Sequence, residues 1–216
     1  MKAVPTLILA FYIFGSFAQE PADTKAKAIL DELSVKTKLY KTIKADFTIT
    51  IESKDKKGKE TQNASVTLKG DKYKLQIKGQ DVICDGKTVW TYLTDANEVQ
   101  INNVDTKNPD AITPANMFTI YETGYKYKFE KEELQDKKTM QVINLYPVNP
   151  DKKKFHTLKL SVDKMKKQIA MLKIFMKDGG LFTYTIKTFT PNQEINDAAF
   201  TYDAKAHPGA EVVDLR

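Results

Sequence analysis

Few side chains in this sequence could do acid–base or nucleophilic chemistry. There are two histidines, His156 and His207, and one cysteine, Cys84. A histidine can serve as a general acid or base near neutral pH, or ligate a metal. His156 follows Lys152-Lys153-Lys154 and His207 stands beside Pro208, and neither has a partner at metal-ligand spacing. Cys84 as a nucleophile would need a histidine and an orienting amide or carboxylate, and the sequence offers no such arrangement. Gly-x-Ser-x-Gly, phosphate-loop and dinucleotide motifs are absent. Carboxylates are abundant, but 28 acids would form pairs by chance. No catalytic residue, metal or cofactor is therefore expected, and the chain is not expected to be an enzyme. Asn63-Ala64-Ser65 has the form of a glycosylation acceptor, which means little in a bacterial host.

The basic charge is of one kind. The formal net charge is +6, and Arg216 is the only arginine. Bidentate contacts to phosphates and bases favour arginine. Lysines here are interleaved with acids, as in Lys131-Glu132-Glu133, which reads as a solvated surface. Nucleic acid is not an expected partner, and a weak attraction to an anionic membrane surface is the alternative use of the charge.

The elements read as one helix followed by many strands. Asp23 caps a helix running to about Leu39, with Ala26, Ile29, Leu30 and Leu33 on one face, and Ser34 and Thr37 as places where it could break. From Lys44 the period becomes two, with Phe47, Ile49 and Ile51 on one face. Tyr73, Leu75 and Ile77 alternate likewise. Asp85-Gly86 signals a hairpin turn with positive φ at both residues, and it leads into Val89, Trp90, Thr91 and Tyr92. After a polar stretch, Thr113-Pro114 starts a short helix over 115–121 carrying Met117, Phe118 and Tyr121. Strands resume at Tyr125 and continue to Phe189. About ten or eleven strands joined by short turns argue for antiparallel neighbours. A sheet of that size must curl. The expected fold is mainly β with a helical lid (α+β): a curved antiparallel sheet forming an incomplete barrel, covered by short helices.

The chain also reads as exported. Lys2 precedes an apolar run from Val4 to Phe17, which closes with Ser16-Phe17-Ala18. Such a run suits a cleaved signal peptide over 1–18, leaving a single domain over 19–216. It is shorter than the ~18 apolar residues of a spanning helix. No cysteine lies at the cut, so the exported protein is not expected to be lipidated. A single cysteine also leans toward a bacterial periplasm.

Large apolar side chains are the remaining signal: 11 Phe, 10 Tyr and 6 Met. Flexible and aromatic groups of this kind suit a greasy cavity. They also fill ordinary cores, which composition alone favours.

Several stretches, in order, resemble the outer-membrane lipoprotein carrier (LolA) family. Ala28-Ile29-Leu30-Asp31-Glu32-Leu33-Ser34, then Ile43-Lys44-Ala45-Asp46-Phe47, resemble its first helix and first strand. Asp85-Gly86-Lys87-Thr88-Val89-Trp90-Thr91-Tyr92 is similar to its Asp-Gly-Lys-x-x-Trp-x-Tyr hairpin and is the most specific match. Thr113-Pro114 resembles the start of its middle lid helix, and 192–200 with 208–214 its closing segment. The resemblance implies a monomeric periplasmic chaperone that takes acylated lipoproteins from an inner-membrane lipoprotein-releasing transporter to an outer-membrane acceptor. Where the better-known members carry an arginine that holds the lid closed, this chain has Lys69-Gly70-Asp71, so the candidates are a latch at Lys69 or no latch at all. The candidate lipid-binding residues, taken from the strand alternation, are Phe47, Ile49, Ile51, Tyr73, Leu75, Trp90 and Tyr92. The candidate lid residues are Ile29, Leu33, Met117 and Phe118. Related half-barrels that carry another lipid or glycolipid, or that sense lipoproteins, share the pattern, as does a packed interaction protein with no cavity.

Overall fold

The computed structural model describes residues 22–55, 58–105 and 112–216. The expected leader over 1–18 and the domain boundary at 19 lie outside these residues. One α-helix, α1 (Ala22–Lys38), precedes the strands. It is continuous through Ser34 and Thr37. Its buried residues Ala26, Ile29, Leu30 and Leu33 form the apolar face that the spacing gives.

Six strands follow: β1 (Ile43–Glu52), β2 (Lys59–Lys69), β3 (Lys72–Ile77), β4 (Gln80–Cys84), β5 (Thr88–Leu93) and β6 (Glu98–Asn103). After a connecting segment come β7 (Tyr125–Gln135), β8 (Lys138–Pro147), β9 (Phe155–Asp163), β10 (Gln168–Met176) and β11 (Leu181–Pro191). The tail ends in β12 (Glu211–Asp214). All twelve form one sheet in the order β12-β6-β5-β4-β3-β2-β1-β11-β10-β9-β8-β7. That order is linear, so the curved sheet is an unclosed barrel with β12 and β7 as its edges. Every pairing is antiparallel except β12 with β6, which is parallel. Sequential hairpins build the two halves, and the pairing of β1 with β11 joins them.

Two turns differ from expectation in a useful way. Asp85 does not take positive φ; only Gly86 does, at 95°. The Asp85 carboxylate instead accepts from the Lys87 and Thr88 amides, both at 2.8 Å, in a longer turn. The two-residue turn with both φ values positive is at Asp136 (48°) and Lys137 (63°), between β7 and β8.

The concave face carries two apolar clusters. The first joins the buried face of α1 to Ile143, Leu145, Leu158, Leu160 and Leu172 of β8–β10. The second joins Phe47, Ile49, Val66, Leu68, Tyr73 and Cys84 to Met117 and Phe118. The segment bearing those last two is not the expected helix. Residues 114–119 form successive turns, and only Ile120–Glu122 makes one short 3₁₀ turn. Thr113 does act as a cap: its hydroxyl accepts from the Asn116 amide at 3.4 Å, while Asn116 Oδ1 accepts from the Thr113 amide at 2.8 Å.

Candidate functional site

The site is an apolar cavity of about 220 Å³ between the concave face and the turn segment. Its walls are Phe47 and Ile49 of β1, Leu75 and Ile77 of β3, Leu172 of β10 and Tyr184 of β11. Ile112, Thr113, Pro114 and Met117 close it from the segment side. Antiparallel register brings the walls together, since paired residues share a face. Ile49 lies opposite Tyr184, which lies opposite Leu172. Phe47 and Ile77 both pair with Ala64. The small Ala64 between two large side chains leaves room above β2.

The described walls of the cavity carry no charge. Tyr184 is the only ionisable residue among the described walls, and burial raises that phenol above its ordinary value, so it stays neutral. Deeper in the same cluster, burial pushes the Tyr73 phenol up to about 12, with Cys84 beside it. Burial also pushes the Cys84 thiol up, though the Gly86 amide donates to its sulfur at 3.3 Å. Such a space offers aliphatic contact and two hydroxyls, those of Thr113 and Tyr184. Among the described residues no group of three or more His, Cys, Asp or Glu side chains could hold a metal.

Of the residues proposed from alternation, Phe47, Ile49 and Leu75 line the cavity. Ile51 and Tyr73 lie on the same face and pack into the second cluster without lining it. Trp90 and Tyr92 are placed elsewhere. Trp90 pairs with Ile83 and Ile101, and Tyr92 with Asp81 and Val99, whereas the cavity face of β5 continues through Val89 and Thr91. Both rings are therefore on the convex face. There Tyr92 meets the His207 ring at 4.0 Å between centroids and Tyr202 at 6.4 Å. Of the lid candidates, Met117 lines the cavity, and Phe118 packs edge-on against Phe189 at 5.6 Å. Ile29 and Leu33 are buried in the first cluster, away from the cavity wall. The walls missed were Ile77, Leu172, Tyr184 and the turn residues. Ile77 continues the alternation of Tyr73 and Leu75, but nothing local says that β11 lies beside β1.

A family model described as the outer membrane lipoprotein carrier protein LolA matches residues 38–203. The chain belongs to the LolA family. Among solved structures, an uncharacterized conserved protein from Thermus thermophilus is similar in fold, with a TM-score of 0.56 at 15% identity, over 87% of this chain and 98% of that one. The Mycobacterium tuberculosis lipoprotein LppX gives 0.48 at 13% identity, over 79% of this chain and 98% of that one. A LolA superfamily protein from Nitrosomonas europaea gives 0.44 at 11%, over 82% and 97%. No curated protein matches.

In this LolA-family chain the candidate latch serves another element. Lys69 Nζ donates to the Ile195 carbonyl at 3.0 Å and to Asp197 at 2.6 Å, and Lys72 joins the same carboxylate at 2.7 Å. Lys69 thus ties down the C-terminal tail. The tail crosses behind β3–β6, burying Phe200, and finishes as β12 on β6. α1 is linked to the turn segment by Ile120 and Tyr121, buried in the first cluster with it, and by Glu122, which accepts from Ser34 and pairs with Lys38 at 3.4 Å.

Proposed function

We propose that the protein is a periplasmic, non-enzymatic carrier. It holds the acyl chains of lipoproteins in the cavity and moves lipoproteins from the inner to the outer membrane. The observation that carries this reading is the apolar cavity beneath the turn segment, whose described walls carry no charge, in a chain of the LolA family. The physics requires such a device. A lipid anchor is held in a bilayer by ~0.8 kcal/mol per buried methylene, so two or three long chains cannot cross water unaided. At about 220 Å³ the cavity is smaller than the ~300–1,000 Å³ usual for small-ligand sites. Cargo therefore enters only as the turn segment and α1 move aside. The partners in this reading are acylated lipoproteins, an inner-membrane transporter as donor and an outer-membrane acceptor. Any ATP is consumed by the donor, since this chain has no nucleotide motif.

The test is native mass spectrometry of the protein recovered gently from the periplasm of its host. An adduct of lipoprotein mass is expected. A small lipid adduct would move the assignment to a half-barrel carrying another lipid. A bare mass, together with no uptake of a fluorescent acyl probe, would overturn the cavity reading in favour of a packed core. Ile77→Trp, which fills the cavity from a half-buried wall position, should abolish probe uptake without unfolding the protein.

A further inference from the structure

Among the described residues, eight large apolar side chains are exposed, and four of them gather at one end of the sheet. Val35 (65% exposed) and Leu39 (72%) stand at the end of α1, Leu134 (75%) beside the β7–β8 turn, and Met165 (87%) on the β9–β10 turn. Hydrogen bonds and one ion pair make these places neighbours. The Lys164 amide donates to the Thr139 carbonyl at 3.0 Å, and Thr139 is the cross-strand partner of Leu134. The Lys36 ammonium donates to the Lys166 carbonyl, and Lys167 pairs with Glu32 of α1 at 2.9 Å.

Met165 is held out by a braced turn. Asp163 is 5% exposed, and its carboxylate accepts from the Met165 and Lys166 amides at 3.1 and 2.9 Å. The Lys167 amide returns to the Asp163 carbonyl at 2.7 Å, with Lys167 at φ 48°. Among the described residues nothing covers this apolar side chain at the tip of its turn.

The apolar tips are ringed with lysine, Lys36, Lys137, Lys138, Lys164, Lys166 and Lys167, with the exposed Asp136 among them on the β7–β8 turn. Glu32 answers Lys167, and Glu132 answers Lys164 at 3.0 Å. Lys36, Lys137, Lys138 and Lys166 have no carboxylate partner among the described residues.

We propose that this end is a docking surface for an anionic bilayer. Protruding apolar tips enter the headgroup layer while unpaired lysines meet lipid phosphates. A protein partner would instead want a continuous patch with a depleted charge at its centre. The charge complementarity favours a sheet of negative headgroups. The proposal stands apart from the cavity reading, because surface attachment is measured whether or not the cavity takes up lipid.

The experiment is co-sedimentation of the whole protein with phosphatidylcholine vesicles, with and without about 30 mol% phosphatidylglycerol, at low and high salt. Binding is expected only with the anionic lipid, and salt should weaken it. Removing two unpaired charges, as Lys137→Gln with Lys166→Gln, should weaken it by about 25-fold, at roughly fivefold per lysine. In a Trp90→Phe background, Met165→Trp should show a blue-shifted emission quenched by brominated acyl chains. Lys137, Met165 and Lys166 are exposed, and substituting them should leave thermal unfolding unchanged. Absence of binding to the anionic vesicles would overturn the proposal. So would undiminished binding of the lysine double variant, or Met165→Trp emission that the bilayer leaves unaltered.

Discussion

Replacing Phe47 by alanine puts the cavity wall under direct test. Phe47 is 2% exposed, meets the Tyr184 ring at 6.3 Å between centroids, and lines the void. Truncating a phenylalanine in a fully packed core costs about 3–5 kcal/mol. Part of this ring already faces empty space, and atoms facing a void have no partners there to lose. The expected loss is therefore at the low end, about 3 kcal/mol, or about 6–12 °C in Tm for a domain of this size. Urea unfolding followed by circular dichroism measures it, with an unchanged m-value showing that the two folded states are equally compact. A loss under about 1 kcal/mol would refute the reasoning, since it would mean that the other side of the ring is unpacked too. A loss above about 5 kcal/mol would refute it from the other direction, by showing that the ring has no free side. Wall and core are not alternatives at this position: Phe47 holds the second cluster together with one side and bounds the cavity with the other.

Further outcomes follow from individual groups. Lys69 and Lys72 hold the Asp197 carboxyl down to about 2, below its ordinary 3.8. A depressed carboxyl stabilises the fold above its unfolded value and stops doing so as it protonates. The tail should therefore loosen as pH falls from about 4 toward 2, seen as faster hydrogen exchange in 195–203, and Asp197→Asn should remove that pH step. Trp90→Phe should leave acyl-probe uptake unchanged, because the ring is on the convex face; a loss of uptake would contradict the strand register. Cys84 is 1% exposed with its thiol pushed up by burial, so a thiol reagent at neutral pH should label it only after denaturation.

Local pattern made the strands legible. Alternation in β1 and β3 gave their inward faces correctly, because a half-buried strand must show its period. It failed at β5, where Val89 and Leu93 on one face and Trp90 and Tyr92 on the other are all large and apolar or aromatic. The two large rings there suggested the interior. They face outward because the tail supplies a second cover, with Tyr202 and His207 stacking against Tyr92, and a tail folded back across a sheet leaves no local period. β12 was missed for the same reason: four residues pairing in parallel with β6 depend on a partner more than a hundred residues earlier. The segment 113–122 had a helix start but not a helix. Its capping residues Thr113 and Asn116 bond each other, and Met117 and Phe118, adjacent in sequence, are both buried in the second cluster. Turns can turn two neighbouring side chains inward where a helix would splay them by 100°.

The two covers explain why the cavity lies where it does. α1 comes before β1 and grips β7–β10 through the first cluster; the turn segment comes between β6 and β7 and sits on β1–β4 through the second. Neither is wide enough for the whole concave face, and Tyr184, on the strand that joins the halves, packs against both clusters. The void opens at that seam. Across it the covers are joined by polar links at Glu122, from Ser34 and from Lys38, and by Ile120 and Tyr121, which are buried in the first cluster with α1. An exposed ion pair of this kind is worth roughly 0–1 kcal/mol, so the buried side chains of Ile120 and Tyr121 carry most of the join between the covers. In the proposed carrier, displacing these covers would enlarge the cavity without breaking a rung of the sheet, because neither cover is a strand of it.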